Sequence, residues 1–270
     1  MTSKKDLRAL LSPFLLLILI YLVWYLRYPI WHWSESVEPL FLMLILSYFV
    51  VLLFSIFFLK KEAKISLSEV LKVHSYKAII IGVVFAFLFQ ALWVSISLGI
   101  GGTLEFFSFP SLRGYESYTV WSSILLAFTL YALFAVFGAF VEEVTFRGYV
   151  ESRISSKHNR IVGVFIASLL FSLEHIHIFQ LSWIEKFFQT QFIYVLCFGI
   201  FVGYLFFKCK EDIWSVSAFH ALMNLFNISL PIKVTYTFPI ATHLVTITSF
   251  ILMILILRLL RSEKFCRFGD

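Results

Sequence analysis

Charge is scarce in this chain. Only 14% of its 270 residues are Asp, Glu, Lys or Arg, 60% are hydrophobic, and the mean hydropathy is +0.91. Soluble domains carry nearer a quarter charged residues, so that class is excluded. Cysteine is scarce as well. Three residues, Cys197, Cys209 and Cys266, support no disulfide framework. Cys266 stands one place too early for a C-terminal prenylation box, which needs Cys fourth from last. Aspartate occurs only as Asp6, Asp212 and Asp270, none of them inside an apolar stretch, and this excludes chemistry by a paired-aspartate site within a membrane. The chain has no His-Glu-x-x-His zinc helix and no glycine-flanked serine nucleophile. Internal repeats, low-complexity linkers and the inverted halves of a transporter are missing too.

What the chain does have is long apolar runs. A helix needs about 20 residues at about 1.5 Å each to cross the hydrocarbon core. Eight candidate spans fall at roughly 9–26, 39–59, 78–100, 121–146, 161–176, 187–207, 213–229 and 238–258. The expected fold class is therefore all-α, a polytopic transmembrane bundle of about eight spans. The fifth and seventh are short, which suits helices inside a bundle or one that stops at a cavity.

Basic residues accumulate in cytoplasmic loops, and their distribution here is lopsided. Lys4, Lys5 and Arg8, then Lys60, Lys61, Lys64, Lys72 and Lys77, fall on one side. Arg147, Arg153, Lys157, Arg160, Lys208 and Lys210, and the tail residues Arg258, Arg261, Lys264 and Arg267, share it. The other side keeps only Arg27, Arg113, Lys186 and Lys233. Both termini are thus expected in the cytoplasm. The net charge of +6 reads as this topology signal, spread over many loops, and the expected partner is the lipid bilayer, with no nucleic acid.

Lys4, Lys5 and Arg8 ahead of an apolar run imitate a signal peptide, but no small-residue cleavage site follows. Trp24, Tyr25, Tyr28, Trp31 and Trp33 read instead as an aromatic belt ending an uncleaved first span. The first three spans contain no acidic residue and read as a lipid-facing scaffold. The segment 103–120 is a mixed aromatic and polar loop, re-entrant or superficial, and the stretch from Ile176 to Lys186 is similar.

The polar chemistry concentrates between about 121 and 228. A charge within a membrane costs about 2.5–3.5 kcal/mol at mid-helix, so intramembrane carboxylates point to function. Glu142 and Glu143 stand together near the end of the fourth span, with Arg147 one turn beyond Glu143 on the same face. Glu142 points about 100° away from Glu143. A purely structural pairing of these charges at the interface is the plain alternative. Against it stand Phe171-x-x-x-His175 in the fifth span and His220-x-x-x-Asn224 in the seventh. A lone histidine in an apolar helix is usually a hydrogen-bonded core residue. Two in separate spans, beside an acidic pair in a third, make a more specific set. Counted from the basic loops, Glu142 lies about 12 Å and His220 about 10 Å in, but His175 about 21 Å. That mismatch requires the fifth helix to tilt or to start outside the membrane.

In order, Glu142-Glu143-x-x-x-Arg147, Phe171-x-x-x-His175 and His220-x-x-x-Asn224 resemble the three motifs of the CAAX-protease and bacteriocin-processing (Abi) family, which includes the type II CAAX prenyl endopeptidases. The likeness covers about 121–228, expected to be the catalytic core. Residues 1–120 would supply three N-terminal spans and an outer loop, and 229–270 a last span and a cytoplasmic tail. The resemblance implies an intramembrane glutamic endopeptidase of the bacterial cell membrane, with a cavity open to the cytoplasmic side. The substrate that the resemblance implies is a membrane-anchored or lipidated, including prenylated, protein or peptide. Glu142 would be the general base and His175 would hold the attacking water, with His177 nearby as an alternative. His220 and Asn224 would face the oxyanion, while Glu143 and Arg147 brace the helix. No cofactor is expected. The alternatives are a zinc enzyme with Glu142, His175 and His220 as ligands, and a non-catalytic immunity or scaffold protein.

Overall fold

The computed structural model describes residues 4–33, 37–106, 120–176, 181–229, 232–236 and 240–260. His177, the centre of the 103–120 loop and the basic tail lie outside the described residues. Each of the eight apolar stretches contains a helix. They are α1 (Lys4–Trp33), α2 (Val37–Phe58), α4 (Tyr76–Gly99), α5 (Val120–Glu143), α7 (Arg160–Glu174), α9 (Phe192–Lys208), α10 (Ile213–Ser229) and α11 (Ile240–Leu259). Short helices α3 (Leu67–Val70), α6 (Ser152–Ser155) and α8 (Leu181–Thr190) lie between them.

Among the described residues, Leu42–Ala63, Tyr76–Gly99 and Ile240–Leu259 are each long and apolar enough to cross a membrane. The sixth apolar stretch is bent by 57° at Gln191, between α8 and α9, and makes a fourth crossing if taken as one span. Large apolar side chains on the outer faces of these helices, among them Phe49, Leu53, Ile80, Phe87 and Ile251, remain exposed. An apolar coat of that extent belongs against lipid, and the chain is an integral membrane protein.

Two departures from regular helix position the site. First, α5 does not stop at Glu143. It widens into a π-helical stretch, Val144–Glu151, and continues through α6, with right-handed helical backbone at both junctions. Such widened turns often mark functional sites. Second, the helical bundle carries one small ladder, β1 (Thr103–Phe106) against β2 (Ile232–Thr235), antiparallel. It ties the end of α4 to the connection between α10 and α11, and Ser97 and Tyr236 join hydroxyls beside it at 2.7 Å.

Helix α10 is the hub, packed on α5, α4 and α9, with α7 laid against α9 and α2 against α5. Its start is held by Asp212, whose Oδ1 accepts from the backbone N–H groups of Trp214 and Ser215, both at 3.0 Å. These are donors that a helix N-terminus otherwise leaves unpaired. The segment after α2 covers that end. His74 N–H donates to Asp212 Oδ2 at 2.9 Å, and the Trp214 indole donates to the Leu71 carbonyl at 2.9 Å.

The α4–α10 contact is close enough to require glycine. A Cβ at Gly82 would lie 2.0 Å from the Ser215 carbonyl oxygen, a backbone atom that cannot swing aside. Gly82→Ala is therefore expected to cost about 1–3 kcal/mol by overpacking. Gly99→Ala, with nothing within 4 Å of its Cβ, should cost little. Thermal unfolding of the purified protein checks both: the midpoint falls for the first substitution and holds for the second.

Candidate active site

Glu142 and Glu143 close α5 just before the helix widens, and both are buried. Arg147, with no exposed surface, sits one turn on. Its Nε lies 3.3 Å from Glu143 Oε2 and 3.9 Å from Glu151 Oε2, and its Nη2 donates to the Gly199 carbonyl at 3.2 Å. The guanidinium carbon lies 5.0 Å from the centre of the Phe171 ring. The carboxylate contacts are ion pairs without hydrogen-bond alignment, since neither Nε nor those two oxygens makes a hydrogen bond.

Glu143 was expected to turn away from the cavity towards Arg147; its Oε2 does so, while its other oxygen takes a second partner. Its Oε1 accepts from His220 Nδ1 at 2.7 Å. A carboxylate has two oxygens, and α10 packs closely enough on α5 for the second to meet an imidazole. With Nδ1–H engaged, His220 presents Nε2 to Glu142, 3.5 Å from Oε2. The other Glu142 oxygen accepts from the Tyr48 hydroxyl at 2.6 Å. A line of polar contacts thus runs from Arg147 through Glu143, His220 and Glu142 to Tyr48.

His175 caps the C-terminus of α7. Its Nδ1 lies 2.9 Å from the Phe171 carbonyl, which can only accept, so Nδ1 carries the proton and Nε2 is left as the acceptor in the neutral ring. Nδ1 also lies 3.3 Å from Glu174 Oε2. The Phe171 ring packs against both histidines, its centre 4.7 Å from that of His175 and 5.8 Å from that of His220. Ser172, on the same helix face, donates its hydroxyl to the Ser168 carbonyl at 2.8 Å and is not aimed at either imidazole.

The depth mismatch of His175 disappears in three dimensions. The helix bearing Glu142 runs to Ser155, so Glu142 lies close to 20 Å from its end, and His175 lies about 21 Å along α7 from the turn that follows. His220 is nearer its own helix start because α10 begins lower: Ile213 packs at the level of Gly148, part-way down the π-helical stretch.

His175, His220 and Asn224 line one cavity of about 380 Å³. The amides of Gln191 and Asn227 join them, and Phe171, Tyr194, Val195, Phe198 and Met223 form its apolar wall. All four candidate residues were expected to converge on this space. Glu142 is not among the lining residues; it reaches the cavity through the histidines, because Tyr48 draws its carboxylate towards α2.

Three participants escaped the sequence. Glu174 is buried, accepts from the Trp24 indole at 3.0 Å and lies beside His175. As an acidic residue inside a span it carried the same signal as Glu142. Trp24, expected in the aromatic belt, turns inward to make that bond. Tyr48 stood as one hydroxyl in an apolar run, which nothing in the sequence distinguished. Ligand atoms of Glu142, Glu174 and His175 lie within 4.8 Å of one another. Two carboxylates and an imidazole are a donor set that can hold zinc with one position open. His220, a ligand in the sequence-based zinc alternative, does not belong to that group.

Arg147→Gln would leave Glu143 and Glu151 buried without their cation. Breaking a buried pair in this way costs about 3–5 kcal/mol, so the purified variant should unfold at a markedly lower temperature. Arg147→Lys should recover only part of the loss, because an ammonium lacks the planar fork that reaches the Gly199 carbonyl as well.

The family model described as Type II CAAX prenyl endopeptidase Rce1-like matches residues 116–226. The match contains Glu142, Glu143, Arg147, His175, His220 and Asn224 and leaves out α1 to α4 and α11. No curated protein matches the chain. Residues 116–226 thus form a domain similar to the type II CAAX prenyl endopeptidases, and it gathers the three ordered motifs at one buried site.

Proposed function

We propose that the protein is an intramembrane glutamic endopeptidase that hydrolyses a peptide bond near the membrane-anchored end of a lipidated, including prenylated, protein or peptide. Glu142 takes a proton from a water molecule, whose oxygen attacks the scissile carbonyl carbon. His175 holds that water through Nε2. The oxyanion is met by the side-chain N–H of Asn224 and, when the ring carries a second proton, by the Nε2–H of His220, whose positive charge Glu143 balances through Nδ1. When the tetrahedral intermediate collapses, the proton on Glu142 passes to the leaving amine, and the products are a carboxylate and a free amine. Glu143 orients His220 as a carboxylate orients the imidazole of other hydrolytic sites, through Nδ1. The basic loops would face the cytoplasm, where the substrate tail resides.

The observation that best supports this reading is the shared cavity: two imidazoles and an amide line it, with a buried carboxylate in contact with one of the imidazoles. Glu142→Gln keeps the shape and removes the base. Its kcat on a quenched peptide with a farnesylated cysteine tail should fall by about 10²–10⁴-fold. Cleavage at the parental rate by the folded variant would refute the role of Glu142.

A second reading rests on the proximity of Glu142, Glu174 and His175. These residues would hold a zinc ion, which supplies a bound water of lowered pKa. Stoichiometric zinc in the purified protein, with Glu174→Gln losing the metal, would favour this reading over the metal-free one.

A further inference from the structure

We infer that Tyr48 of α2, outside the segment that matches the family model, is a positioning residue for Glu142. The inference rests on the proposed role of Glu142 as base. The Tyr48 hydroxyl donates to Glu142 Oε1 at 2.6 Å in a buried setting, a short, charge-assisted bond. A glutamate side chain has three rotatable bonds, and one contact with His220 at 3.5 Å does not hold it. The phenol supplies the second point of attachment and leaves Oε2 directed at His220 and the water site.

The ring of Tyr48 is itself held. It packs edge-on against Trp24 at 5.2 Å and Phe134 at 5.4 Å. A Cβ at Gly138 would lie 3.3 Å from its Cζ, so α5 offers the ring a glycine-wide seat four residues before Glu142. Two turns further along the same interface, Ser55 and Thr145 join hydroxyls at 2.7 Å. Trp24 extends the clasp: one ring packs on Tyr48 while its indole N–H holds Glu174. Two helices that read as lipid-facing scaffold therefore hold two carboxylates of the site.

The phenol also faces a charged neighbourhood it must match. Around the Glu142 carboxylate stand His220 from α10, Glu174 and His175 from α7, and Glu143 from its own helix. With two further carboxylates nearby, a neutral donor fixes Oε1 without adding charge, which lysine in the same place would do.

The test uses the full-length protein in lipid nanodiscs and the conservative variant Tyr48→Phe, which keeps the ring packing. The quenched farnesylated peptide is the probe. Expected is a fall in kcat of about tenfold or more with KM changed less than twofold, since the contact acts on the base and not on substrate binding. Ser55→Ala removes another hydrogen bond between α2 and the helix that bears Glu142, and it should leave kcat within about twofold, as an effect on helix packing alone would not. Independently of any substrate, the infrared difference between the parent and Glu142→Gln isolates the Glu142 carboxyl band. The same difference taken in the Tyr48→Phe background should be shifted. An unshifted band, or an unchanged kcat in folded Tyr48→Phe, overturns the inference, as does an equal loss in Ser55→Ala. If the parent does not cleave the peptide, the band alone decides whether Tyr48 holds Glu142. If Glu142→Gln cleaves as fast as the parent, the proposed function fails and the positioning role fails with it, while a shifted band would still record the contact.

Discussion

Arg147 has no exposed surface, and its polar neighbours come from two helices: Glu143 and Glu151 on its own, and the Gly199 carbonyl on α9. A guanidinium taken out of water without partners would cost several kcal/mol, and so would each carboxylate. Set together they offset one another, and the arrangement tolerates little displacement. Glu143 can hold His220 only because its second oxygen is neutralised by Arg147, and His220 can face Glu142 only because Glu143 engages its other nitrogen. The whole line of contacts is therefore referred to one buried cation. The pairing looks structural, yet it sets which nitrogen of His220 meets the cavity.

The backbone around this cluster is unusual too. The stretch from Val144 to Glu151 is π-helical, and the helix stays continuous to Ser155. Continuity matters for depth, because it lowers Glu142 to the level His175 reaches from α7. The cavity that results is lined by apolar side chains together with amide-bearing residues and two histidines. Such a lining suits a peptide carrying an apolar group, whose backbone needs hydrogen-bond partners once it leaves water.

Much of this was legible in the sequence. Charge scarcity and eight apolar runs were sufficient for an all-α membrane bundle, because in lipid a helix is the only economical way to satisfy backbone polar groups within one segment. The three short motifs were legible as well, since a buried charge or imidazole in an apolar run stands out against its neighbours. Spacing also predicted the Glu143–Arg147 pair, an interaction confined to one helix. The break at Gln191 was not legible, because the sixth span, read from 187 to 207, runs straight through it. Nor was the end of the α5 helix: polar residues from Arg147 onward look like a loop when nothing shows that they are buried.

Which residues would meet across helices was beyond the sequence altogether. Tyr48 and Trp24 lie about a hundred residues or more from the carboxylates they hold, and one hydroxyl or indole in an apolar run has no periodicity to betray it. The same holds for the second oxygen of Glu143, whose partner His220 comes from another helix. The sequence by itself determined what must be buried and in which kind of element, because hydrophobicity and helix period act along the chain. Only the tertiary structure decided which buried groups share a hydrogen bond, because a close approach between helices depends on glycine seats, a widened turn and a register that no single segment contains.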